Sequence, residues 1–167
     1  MKKYCLPIII AGFLASCNQD SGRKIREQVV AAAENYAMSQ LNDAKRSVDE
    51  EGIITLFNDG IIYRIDPSKT VIGDLNGDSK KDAIISVLVS RMPIMDQPEH
   101  LILINAKGDF IMAKVIDSEM KVIRIDNGVI AAEVSVISQD SPMYGCESCK
   151  EVVHYQFKGG ELVRAEK

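Results

Sequence analysis

Asp74-Leu75-Asn76-Gly77-Asp78-Ser79-Lys80-Lys81-Asp82, continued by Ala83 and by Ile84-Ile85-Ser86-Val87-Leu88-Val89, carries most of the fold information in this chain. Carboxylate or amide side chains stand at positions 1, 3, 5 and 9 of the first nine residues, and the one glycine among them follows the second. The run from Ile84 to Val89 is apolar on both alternating faces except at Ser86, the pattern of a central strand covered on both sides. Hard oxygen donors that lead straight into such a strand suit a calcium-type cation, which takes about 6–8 oxygen ligands.

The spacing assigns the donors. Asp74, Asn76 and Asp78 offer side chains, Lys80 a backbone carbonyl, and Asp82 closes the loop directly or through water. Three carboxylates and one amide leave a net charge of about −1 once Ca²⁺ is bound, in keeping with a weak extracellular-type site. An EF-hand needs glycine at position 6 and glutamate at position 12 between helices, whereas Ser79 and Ile85 stand there and a strand follows. The stretch resembles the calcium loops of FG-GAP and VCBS repeats, in which D-x-[DN]-x-D-G-x-x-D precedes a strand. Ser79 in place of the glycine departs from that pattern. Those families repeat the loop in every blade, and a single copy cannot build such a propeller. The competing reading is an Asx-rich turn between strands, because Asn, Asp and Gly are ordinary turn residues.

On either side of this stretch the texture has a period of two. Ile53 to Phe57 and Ile61 to Ile65 flank an Asn58-Asp59-Gly60 turn; Asp66-Pro67-Ser68-Lys69 is a second turn, and Thr70 to Ile72 leads into the loop. Downstream, Arg91 to Glu99 contains Pro93 and Pro98 and reads as a longer hairpin loop. Strands follow over Leu101–Ile104, Phe110–Ile116, Val122–Ile125, Val129–Ile137, Val152–Phe157 and Glu161–Arg164, separated by Gly-containing turns and by a polar loop from Ser138 to Lys150. Strands joined by short turns with no helix between them predict an antiparallel β-meander of about eight to nine strands over residues 52–167. From Lys24 to Leu41, apolar residues recur at helical spacing in the rows Ile25, Val29, Ala32, Tyr36 and Val30, Ala33, Ala37, Leu41. The class is α+β, mostly β, with one N-terminal amphipathic helix packed on the meander.

The first residues read as a targeting signal. Lys2 and Lys3 precede an apolar core from Leu6 to Leu14 that is too short to span a bilayer. Leu14-Ala15-Ser16-Cys17 resembles a bacterial lipobox, which implies a signal peptide over 1–16, a lipidated Cys17 and attachment to the membrane through that lipid. An ordinary signal peptide with a chance cysteine is the alternative. Residues 17–51 then hold a polar tether from Asn18 to Gly22, the helix, and a charged linker from Asn42 to Glu51. Asn18 lacks the acid that signals inner-membrane retention, so the resemblance implies the outer membrane, facing the periplasm.

Removing the signal leaves 18 basic against 24 acidic residues, a side-chain charge of −6. An acidic surface argues against nucleic acid as partner and suits metal ions. Cys146 and Cys149 remain in an exported, oxidising setting. Their Cys-x-x-Cys spacing matches a redox motif, but the βαβ setting of a thioredoxin-type site is missing, so a structural disulfide is the preferred reading. A Cys₂His₂ zinc site with His100 and His154, and a soft copper site from Met92, Met95 and Met143, are weaker readings. Neither histidine sits in a motif with a nucleophile, and Asp49-Glu50-Glu51 reads as a solvated run, which leans away from an enzyme. In arrangement, residues 52–165 resemble small bacterial envelope lipoproteins of unknown function, with one calcium-type loop, hairpins such as Asp126–Ile130, a cysteine pair and a terminal hairpin at Gly159–Val163. The expectation is a lipid-anchored envelope protein that binds calcium and plays a binding or structural part, with an envelope protein as a candidate partner. The alternative is an envelope enzyme or inhibitor working through a surface cleft.

Overall fold

The computed structural model describes residues 17–91, 94–137, 146 and 149–165. Its elements are α1 (Cys17–Gln40), β1 (Lys45–Val48), β2 (Ile54–Asn58), β3 (Ile61–Gly73), β4 (Asp82–Arg91), β5 (Ile94–Ala106), β6 (Asp109–Asp117), β7 (Lys121–Asp126), β8 (Val129–Ser135), β9 (Lys150–Lys158) and β10 (Glu161–Arg164). The meander is antiparallel throughout, but it is divided. Six strands form one sheet in the order β1-β2-β3-β4-β5-β6, and four form a second in the order β10-β9-β8-β7. The chain changes sheet over Ser118–Met120, between β6 and β7.

Alternation along β4 explains the three layers. Ala83, Ile85, Val87 and Val89 point to one face and pack under α1 with Val29, Ala33, Ala37, Leu56, Tyr63, Ile65, Leu101 and Leu103. Ile84 points to the other face and meets Leu75, Ile102 and, from the second sheet, Ile125 and Ile130. The six-stranded sheet is therefore the middle layer, and β4 is covered on both sides, as its apolar run predicts. The expected helical stripe is borne out: Val29, Val30, Ala33, Ala37 and Leu41 are buried. Polar contacts fix the helix as well. Tyr36 donates to Glu99 at 2.7 Å, and Arg91 reaches the other Glu99 oxygen at 2.8 Å. Burial first, and then the bond to Glu99, hold the Tyr36 hydroxyl above its ordinary range.

Four local readings are corrected. The segment Asn18–Gly22 belongs to α1, which begins at Cys17; one interior glycine costs only about 1 kcal/mol and does not stop a helix. In place of a linker, Lys45–Val48 forms a fully exposed edge strand on β2, and Arg46 of that strand pairs with Glu34 of α1 at 2.8 Å. Asp66–Lys69 is a bulge within β3, since the register with β4 shifts between Ile65 and Thr70; the Asp66 carboxylate accepts from the Ser68 amide inside it. Pro98 lies within β5 opposite Leu88. Its carbonyl accepts from the Ser118 amide, past the end of β6, so its ring nitrogen faces away from β4 and the missing N–H removes no bond of the β4–β5 ladder.

Candidate metal loop at the sheet seam

Asp74 organises the loop between β3 and β4. One carboxylate oxygen accepts from the Gly77 amide at 2.7 Å and the other from the Ser79 amide at 2.8 Å. Asn76 Oδ1 accepts from the Asp78 amide, and Asp78 Oδ1 from the Lys80 amide at 2.9 Å. These bonds wind the backbone around Asp74, with Gly77 at φ 81° and Ser79 at φ 65°. Ser79 thus takes the left-handed conformation that glycine adopts more cheaply. The Lys80 backbone amide, and after it the Lys80 side chain, hold the Asp78 carboxyl below its ordinary range, so Asp78 is ionised. Lys80 Nζ lies 3.1 Å from Asp78 Oδ2, a half-exposed ion pair of small worth.

Asp82 stands apart from these donors. It is fully buried, with Oδ2 accepting from the Leu75 amide at 2.8 Å and Oδ1 from the Asn105 amide at 2.9 Å. Through it the loop is tied both to its own start and to the end of β5. The loop also reaches the second sheet. Leu75 is buried between the sheets, and the Asp74 carbonyl accepts from the Gly128 amide of the β7–β8 turn at 3.0 Å. Gly73 packs so closely on Ile125 that a Cβ there would fall 2.5 Å from the Ile125 Cβ. The loop therefore occupies the seam where the two sheets meet.

Among the described residues, no three His, Cys, Asp or Glu side chains converge as a ready-made metal cage. Asp74, Asn76, Asp78 and the Lys80 carbonyl share the surface turn, while Asp82 braces it from beneath. The donor set is all oxygen, the kind that hard cations take. Cys146 and Cys149 stand at disulfide distance, their Cα atoms 5.2 Å apart; the Cys149 carbonyl accepts from the Val136 amide at 2.9 Å and pins the pair to the end of β8. Residues 1–16, Met92 and Met143 lie outside the described residues. Among the described residues no helix is long and apolar enough to cross a membrane.

One constellation escaped the sequence reading. Ser86 and His100 are register partners on β4 and β5, with Ser86 Oγ 2.8 Å from His100 Nδ1. The available signal was Ser86 itself, the one polar residue in the run from Ile84 to Val89. Only strand register could supply its partner. Burial pulls the His100 ring below its usual range, against smaller opposing effects from the Ser118 and Met120 backbone and from Asp117. No protein-family model, curated protein or solved structure matches the chain.

Proposed function

We propose that the protein is an exported, lipid-anchored envelope protein in which calcium at the Asp74–Asp82 loop locks the seam between the two sheets. The supporting observation is the position of the loop: Asp74 binds its own turn through its side chain and the β7–β8 turn through its carbonyl. A cation held by Asp74, Asn76, Asp78 and the Lys80 carbonyl neutralises neighbouring carboxylates where the sheets join. Asp82 keeps the turn in shape from below. The role is structural or partner-binding, and a locked seam presents a rigid surface to an envelope protein partner.

Calcium is expected to bind with a dissociation constant of about 10⁻⁴–10⁻³ M. At a hundredfold excess it stabilises the native state by about 2.7 kcal/mol. Thermal unfolding of the full exported chain in chelator and in calcium measures this. Asp78→Ala abolishes most of the shift, whereas Asp66→Ala, whose carboxylate serves a separate bulge, preserves it. Magnesium substitutes poorly because it demands tighter octahedral geometry. An unmoved midpoint together with no heat on titration overturns the calcium reading.

The location has its own test. Cys17→Ala is expected to move the protein out of the membrane pellet, as an uncleaved or soluble form. Wild-type protein that fractionates as soluble and has no mass gain from acyl chains contradicts the anchor.

A further inference from the structure

Beyond the seam, residues of both sheets line a cleft of about 600 Å³, within the roughly 300–1,000 Å³ usual for small-molecule sites. Lys69 of β3, Ser86 of β4 and His100 of β5 line one wall, and Met120, Lys121 and Val122 line the other. Ser86 shares the face of Ile84, which looks toward the second sheet. It is partly exposed to the cleft, while His100 lies beneath with 1% of its surface accessible.

The hydrogen bonds fix the histidine tautomer. His100 Nε2 lies 2.8 Å from the Ser118 carbonyl, which can only accept, so Nε2 carries the hydrogen. Nδ1 then bears the lone pair, and the Ser86 hydroxyl, 2.8 Å away, donates to it. Burial also disfavours charging of the ring, which favours an unprotonated Nδ1. The result is a hydroxyl bonded to a neutral base whose far nitrogen is held by a third group, the arrangement that activates a serine nucleophile. Lys69 and Lys121 form no ion pair among the described residues. They bring positive charge to the cleft, while its acid, Glu133, lies 3.5 Å from Lys150.

We propose that Ser86 and His100 form a nucleophile–base pair and that the inter-sheet cleft hydrolyses small esters with an apolar acyl chain. Ser86 Oγ attacks the ester carbonyl carbon, forming an Oγ–C bond as its proton passes to His100 Nδ1. The lysine ammonium groups favour the negative charge that develops on the carbonyl oxygen. The C–O bond to the alcohol breaks, and Nδ1 returns the proton to the departing alkoxide. Water then attacks the acyl carbon and gives a proton to Nδ1. The Oγ–C bond breaks, Ser86 recovers that proton, and the acid leaves. Met120 and Val122 face the apolar chain.

The test uses detergent-solubilised full-length protein, a fluorophosphonate probe and p-nitrophenyl butyrate. One adduct per chain is expected, mapped to Ser86 and absent from Ser86→Ala. Ester turnover falls to background in the same variant, which stays folded by circular dichroism. His100→Gln slows labelling by roughly 10²–10⁴-fold, the usual contribution of a positioned base. Should that variant fail to fold, wild type against Ser86→Ala decides alone. Folded wild-type protein without an adduct at Ser86, or without ester turnover that Ser86→Ala removes, overturns the assignment and leaves the pair as a cross-strand hydrogen bond only.

Discussion

Asp82→Ala is expected to cost about 4 kcal/mol of folding stability. The side chain is fully buried, and its two oxygens serve two different backbone amides, Leu75 and Asn105. Each charge-assisted bond contributes about 1.5–3 kcal/mol, and each buried amide left without an acceptor costs about 1–3 kcal/mol. The alanine variant loses both bonds and gains nothing in return. Asp82→Asn separates the two effects: its amide can accept from one backbone donor but must turn an NH₂ toward the other, so about half the loss is expected. Urea unfolding measures both variants, with the midpoint falling and the denaturant slope unchanged. A loss below about 1 kcal/mol for the alanine variant would mean that water replaces the carboxylate, contrary to a dry brace. In either variant the surface oxygens of Asp74, Asn76 and Asp78 remain, so calcium titration tests the proposed site separately from the brace.

Gly73→Ala is the second large effect, expected at about 3 kcal/mol, at the upper end for overpacking a close-packed site. The added methyl would lie 2.5 Å from Ile125 Cβ, 2.6 Å from Cγ2 and 2.7 Å from the Ile125 carbonyl oxygen. Two of these three atoms do not depend on the length of residue 125. Ile125→Ala therefore does not rescue the variant, because the Cβ and the carbonyl oxygen stay in place. The strain falls between β3 and β7, so the second sheet is pushed off the first at the seam. Loss of hydrogen-exchange protection in β7 and β8 before α1 is the expected signature. Gly22→Ala is the contrast: a Cβ added there would meet nothing within 4 Å, and the residue sits in α1, so a gain of about 0.5–1 kcal/mol is expected. If Gly73→Ala unfolds at the wild-type temperature, the sheets are not in contact there.

The N-terminal helix and most strands were legible because their signals are local. Val29, Ala33 and Ala37 mark one helical face at any distance from their partners, and Ile84–Val89 declares a doubly covered strand by composition alone. The Gly-containing turns were equally plain from their Asn, Asp and Gly residues, and within them Asp59–Gly60, Lys107–Gly108 and Asn127–Gly128 all have a positive φ. The oxygen-bearing residues from Asp74 to Asp82, on which the proposed cation site rests, lie within nine residues and are likewise a local signal.

What tertiary structure decided involves partners distant in the chain. Sequence could not show that the meander breaks between β6 and β7, because both sheets are built from the same alternating runs; packing of Ile84 and Ile102 on Ile125 and Ile130 makes the division. It could not separate Asp82 from the other loop acids, because the Asn105 amide that accounts for its burial is 23 residues away. Lys45–Val48 is polar over most of its length and becomes a strand only through register with β2. Ser86 and His100, 14 residues apart, meet for the same reason. Period-two alternation specifies which face a side chain occupies, but only pairing between strands specifies what stands beside it.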